Sequence, residues 1–112
     1  SLGQALENII RNAMRFTPSG QFVKVSLTTT LNHYQIDIAD QGPGVPEEFL
    51  EKIFQPFFRV DSARQDSFRH DTARNFGLGL ALAKRQISAI GGKVHALNGG
   101  AGGLLMRIVL PR

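Results

Sequence analysis

Asn8, Asn12 and Arg15 fall at i, i+4 and i+7 of the stretch Leu-Glu-Asn-Ile-Ile-Arg-Asn-Ala-Met-Arg-Phe-Thr-Pro, residues 6–18, a spacing that stacks them on one helix face. Amide oxygens suit a hard cation, and a guanidinium pairs with phosphate, so the stripe holds donors for a metal–phosphate wall. It fits an ordinary hydrated helix face equally well. Leu2, Ala5, Leu6, Ile9, Ala13 and Phe16 form the adjoining apolar stripe, which turns that side of the helix toward a core. A second candidate is Asp40. Tyr34, Ile36 and Ile38 alternate as a strand, and the next residue on that face is a carboxylate, costly to bury without a polar partner. The alternative is a strand that has ended, with Asp40 capping the following loop.

The elements that must position these groups follow from periodicity. The first helix should stop by Thr17-Pro18-Ser19-Gly20. Residues 22–30 alternate, with Val23, Val25 and Leu27 on the side expected to be half-buried, and pair most simply as a hairpin with the strand of Tyr34–Ile38. Gln41-Gly42-Pro43-Gly44-Val45-Pro46 is a tight loop, and a short helix is expected from Glu47 to about Phe54. Residues 59–75 carry a five-residue near-repeat of Arg, any residue, Asp, Ser or Thr, then Ala or Phe. That period matches neither helix nor strand and reads as a lid. Gly77-Leu78-Gly79 opens a strongly apolar helix, expected to be buried over most of its surface and ended by Gly91-Gly92. Strands Lys93–Leu97 and Leu104–Leu110 close the chain. Helix, hairpin, short helix, lid, helix, hairpin make a two-layer α+β sandwich with helices on one face of the sheet.

The bulk composition narrows the classes. A chain of 112 residues holds one domain with a core, here residues 1–112. With no cysteine there is neither a disulfide framework nor a thiolate metal site. No apolar run reaches membrane-spanning length, so the chain itself is not expected to be membrane-embedded. Arg59, Arg64, Arg69 and Arg74 interleave with Asp61, Asp66 and Asp71, and the net charge of +4 does not form a basic stripe, which argues against a nucleic-acid partner. Gly77 and Gly79 leading into a helix N-terminus favour phosphate, and the absence of a Gly-Lys-Ser/Thr ending excludes the phosphate-loop NTPases.

Four motifs stand in order: Asn8 to Pro18, Asp40 to Val45, Ile53-Phe54-Gln55-Pro56-Phe57-Phe58-Arg59, and Gly77-Leu78-Gly79-Leu80-Ala81. They resemble the N box, first glycine box, F box and second glycine box of sensor histidine kinase ATP-binding catalytic domains. These belong to the Bergerat-fold family shared with gyrase, heat-shock chaperone ATPases and mismatch-repair ATPases. Glu7-Asn8 and the Arg-x-Asp at Arg59 to Asp61 are similar to the envelope-stress sensor type. The resemblance implies a Bergerat fold with a mixed, mostly antiparallel sheet whose first edge strand is absent, and an ATP lid over about 59–76. It departs at Asn75-Phe76, where the family usually carries Gly and then Thr or Ser.

The resemblance also implies roles. Asn12 would ligate Mg²⁺ on the phosphates of ATP, with Asn8 as the second amide and Arg15 contacting phosphate; these three form the catalytic set. Phe16 would line the adenine or ribose side. Asp40 would bind the adenine amino group, and Gly42, Gly44 and Val45 would let backbone approach the base. Phe54, Phe57 and Phe58 would anchor the lid, Arg59 and Arg64 would reach phosphate, and Gly77, Leu78, Gly79 and Leu80 would wrap the triphosphate. Hydrolytic relatives carry a glutamate where Asn8 stands, and an amide cannot act as that base, which favours transfer to a histidine over hydrolysis, with Glu7 as the residue that keeps hydrolysis open. His33, His70 and His95 sit in no histidine box. The phosphoacceptor would therefore come from a dimerisation and histidine-phosphotransfer domain of the same parent kinase, with a cognate response regulator downstream. The expected location is the cytoplasmic side of a bacterial inner-membrane sensor. The rival readings are an ATPase switch and a degenerate nucleotide-binding module.

Overall fold

A computed structural model describes residues 1–60, 76–100 and 102–112. Helix α1 runs Leu2–Phe16; Ser1 Oγ accepts from Gln4 N–H while the Gln4 side chain accepts from the Ser1 amine, a capping box. Its far end stops at Thr17, whose hydroxyl donates to Ala13 O at 2.8 Å before Pro18 ends helical geometry. Ala5, Ile9 and Ala13 form its buried stripe. The second helix, α2, spans Gly79–Ala89 and buries Leu80, Ala83 and Ile87 against α1 and the sheet. Leu82 and Ile90 remain exposed, so α2 is one-faced rather than buried over most of its surface.

The strands are β1 (Lys24–Thr29), β2 (His33–Ala39), β3 (Lys93–Asn98) and β4 (Leu104–Pro111), in the order β1-β2-β4-β3. Every pair is antiparallel, so the sheet of the described residues is not mixed. The reason is topological: β4 folds back between β2 and β3, which run the same way but never touch. Ile38, Met106, Ile108 and Val94 meet Ile9, Leu80 and Ile87 in one core, and each fully buried aliphatic side chain there is worth about 1.5–3 kcal/mol. On the opposite face Arg107 bridges Asp37 at 3.0 and 3.1 Å, and that hydrogen bond, then the carboxylate's charge, raises the guanidinium pKa.

Two expectations change. Val25 and Leu27 face the helix layer, opposite Ile38 and Ile36, yet are 54% and 68% exposed, because β1 is the sheet edge and α1 lies over β2 instead. The segment after Pro46 is two separate 3₁₀ turns, Glu47–Phe49 and Lys52–Phe54, rather than one short helix. Phe49, Ile53 and Phe54 still reach the core from it.

Candidate functional site

Asp40 follows the last residue of β2 and, as the strand period requires, points inward, 5% exposed. Its burial is compensated. Oδ1 accepts from Gly42 N–H at 3.1 Å and from Leu104 N–H at 3.0 Å, while the Asp40 backbone N–H donates to Leu104 O. The loop that continues from Asp40 is held on all sides. Thr17 Oγ1, at the end of α1, accepts from Gln41 N–H at 3.3 Å. Gly42 lies so close to α1 that a Cβ would sit 2.4 Å from Phe16 O. Gly103 backs directly onto Asp40, where a Cβ would come within 2.0 Å of its carbonyl oxygen. Asn98, closing β3, donates from Nδ2 to Val45 O at 2.6 Å and accepts from Val45 N–H at 3.0 Å. An open hollow bounded by Pro18, Phe22, Lys24, Asp40 and Gly42 adjoins this loop.

The second part of the site forms where α1 passes the start of α2. The nearest atom to a Cβ on Gly79 would be Asn8 Cβ, 4.0 Å away, which places Asn8 beside the α2 N-terminus. Leu78, the residue before that helix, carries no polar atom with which to cap it, so its first N–H groups suit an anion. Gly77 sits at φ 54° and supplies the turn into the helix. Phe16 lies between the two parts: its backbone meets Gly42, and its ring stands 6.3 Å from that of Phe76. The Arg15 guanidinium covers the same Phe16 ring at 5.1 Å. Phe76 itself is 3% exposed and belongs to the core.

Asn12 is half-buried, one turn along α1 from Asn8. Val45, Phe54 and Leu80 have their side chains in the core, and Gly44 is exposed beside Asn98. Phe57 is 66% exposed at a φ of 61°, with Phe58 half-buried against Phe49. Around them the chain on either side of residues 61–75 is tied together, since Phe57 N–H donates to Gly77 O and Phe76 N–H to Phe58 O. Arg59 is exposed; Arg64, the pentad repeat and the body of the lid lie outside the described residues. Glu7 points away from Asn8 to bond Arg11 across one helical turn. Thr17, Asn98 and Gly103 escape a reading of the sequence because their roles rest on pairings across the chain; the run of glycines before Leu104 is the only local signal.

The fold and this clustering define a class: a two-layer α+β domain that gathers its glycines, amides and one buried carboxylate where the helix layer meets the loop after β2. By comparison with known proteins, the chain belongs to the histidine kinase-, DNA gyrase B- and HSP90-like ATPase family, which it matches over residues 1–112. It is 40% identical over 99% of its length to the sensor protein PfeS of Pseudomonas aeruginosa, and 38% identical over 99% to the sensor histidine kinase CpxA of Escherichia coli K12. It spans 23% of the length of each of these relatives. Among solved structures it is similar to the mycobacterial sensor histidine kinase MprB, with a TM-score of 0.80 and 32% identity over 97% of this chain and 70% of that one. Full-length ShkA in complex with AMPPNP gives a TM-score of 0.77 at 29% identity, over 98% of this chain and 21% of that one.

Proposed function

We propose that this chain binds ATP with Mg²⁺ as the catalytic domain of a sensor histidine kinase. In that role it presents the γ-phosphate to a histidine on a separate dimerisation and histidine-phosphotransfer domain, with a cognate response regulator downstream. The observation that carries the reading is the Asp40 carboxylate, buried and oriented by Gly42 and Leu104, an acceptor held in place for an exocyclic amine. In this reading the backbone at Gly42 and Gly44 lies against the base, and Phe16 lines its edge. Arg15, Arg59 and Arg64 offset phosphate charge, and the N–H groups at the start of α2 receive the phosphate oxygens.

The residues present fit a divalent ion. Asn12 offers an amide oxygen on the face of α1 that carries Asn8 to the α2 N-terminus, and such a donor supplements phosphate and water ligands rather than forming a cage. When bound, Mg²⁺ supplies charge neutralisation at the phosphate oxygens. The chain's own part is positioning. A histidine nitrogen attacks the γ-phosphorus in line, a P–N bond forms, the P–O bond to ADP breaks, and ADP leaves with the electron pair. Asn8 cannot take a proton from water, and the Glu7 carboxylate is engaged with Arg11 on the outer side of α1, both of which favour transfer over hydrolysis. In this reading the parent sits at a bacterial inner membrane with this domain on its cytoplasmic side. Among the described residues no helix is long and apolar enough to cross a membrane.

The test is calorimetric titration with ATP, with and without Mg²⁺, followed by addition of the parent's dimerisation domain and γ-labelled ATP. Mg²⁺-dependent binding and label on histidine are expected. Binding without label counts against an active kinase, steady ATP turnover by the chain alone favours an ATPase switch, and no binding in either condition leaves a degenerate module.

A further inference from the structure

We propose that Asn98 is a positioning residue for the base side of the nucleotide site, an assignment that rests on the ATP reading above. The loop 41–46 has little backbone pairing of its own. Pro43 and Pro46 carry no N–H, and three of its N–H groups are taken by side chains: Gln41 by Thr17, Gly42 by Asp40 and Val45 by Asn98. Of these three partners, Asn98 both gives a hydrogen bond to the loop and receives one from it. Its Nδ2 and Oδ1 meet the C=O and N–H of Val45 at 2.6 and 3.0 Å, the pairing a neighbouring strand would offer. The contact is packed as well as bonded, since a Cβ on Gly44 would lie 2.8 Å from Asn98 Oδ1.

The position of Asn98 gives the pairing its consequence. Asn98 ends β3 and is the register partner of Leu104, which begins β4 and holds Asp40 through both its N–H and its C=O. One residue pair of one hairpin therefore grips both ends of the loop: Leu104 at Asp40, Asn98 at Val45. The hairpin turn is itself fixed, with Gly99 N–H donating to Gly103 O at 3.1 Å and Gly102 N–H to Gly99 O at 3.2 Å. Between the two grips lie Gly42 and Gly44, the backbone that would face the base. Release at Val45 frees the downstream half of that surface and leaves Asp40 anchored. The chemistry demands an amide. Aspartate keeps the bond from Val45 N–H but sets an acceptor against Val45 O, and alanine loses both bonds.

Affinities of the parent, Asn98→Ala and Asn98→Asp for ATP and for adenosine, measured by titration well below each protein's melting midpoint, test the assignment. Asn98→Ala is expected to bind ATP about 10-fold more weakly, the order set by two net hydrogen bonds. Adenosine should weaken by the same factor, because the loss lies on the base side. Asn98→Asp, nearly the same size, should lose at least as much. Folded variants that bind ATP like the parent overturn the proposal, and so does a loss that falls on ATP but spares adenosine. A parent that binds neither ligand overturns the ATP reading itself, and the positioning role falls with it.

Discussion

Two groups of glycines face each other across Phe16, and they are glycine for opposite reasons. Around Asp40 the missing Cβ atoms make room for the protein. Oxygens of Phe16, Asp40 and Asn98 stand 2.4, 2.0 and 2.8 Å from where Cβ atoms of Gly42, Gly103 and Gly44 would lie. At the start of α2, among the described residues beyond the chain neighbours, nothing stands within 4 Å of a Cβ on Gly77, and only Asn8 reaches 4.0 Å at Gly79. The backbone around Asp40, proposed above as the base side, is thus packed tightly against its own chain, whereas the start of α2, the proposed phosphate side, keeps space that the described residues do not fill. Such a division suits a ligand with one rigid, neutral end and one flexible, charged end, since preorganisation lowers the cost of binding where shape is read.

The largest expected effect is at Gly103. An alanine there meets the Asp40 carbonyl and must also adopt φ 78°, so Gly103→Ala should cost about 3 kcal/mol or more of stability, measured by chemical denaturation. Asp40→Ala comes next. It removes the acceptor proposed for the adenine amine and strands the Leu104 N–H, and ATP affinity should fall by roughly 100-fold in calorimetry, of the order of a lost hydrogen bond to a charged group. On the phosphate side, Asn12→Ala should leave the fold intact and abolish the gain in ATP affinity that Mg²⁺ confers, read by titration with and without the ion. Gly79→Ala should leave stability within about 1 kcal/mol of the parent, because its Cβ has room and alanine is the better helix former, while ATP binding weakens and adenosine binding does not. If Gly79→Ala proved as damaging as Gly103→Ala, the contrast between the halves would be wrong. The smallest effect belongs to Glu7→Gln, which breaks the exposed pair with Arg11, about 0.5 kcal/mol at most, and should not change ATP turnover.

What could be read from the sequence was whatever repeats with a local period. The strand period of two carried through Tyr34, Ile36 and Ile38 to an inward Asp40, and the helix period put Asn8 on a face that α2 approaches. The same period gave Val25 and Leu27 the right face but the wrong burial, because being at a sheet edge depends on where a distant helix lies. The apolar density of α2 predicts burial over most of its surface, yet only the Leu80, Ala83 and Ile87 stripe meets the core. Asn98 was invisible for a related reason. Its partner is 53 residues away, and no spacing marks an asparagine at a strand end as the second grip on a loop.

The tie between Phe57-Phe58 and Phe76-Gly77 bears on how such a domain can change over time. Because Phe57 and Phe58 are bonded to Gly77 and Phe76, the chain leaves the core and returns to it at a single clasp. The clasp itself does not depend on how many residues separate its two sides, and doubling the length of a loop costs only about 0.6 kcal/mol. A change in the number of residues between positions 60 and 76 is therefore expected to cost the scaffold little, on the order of that closure cost.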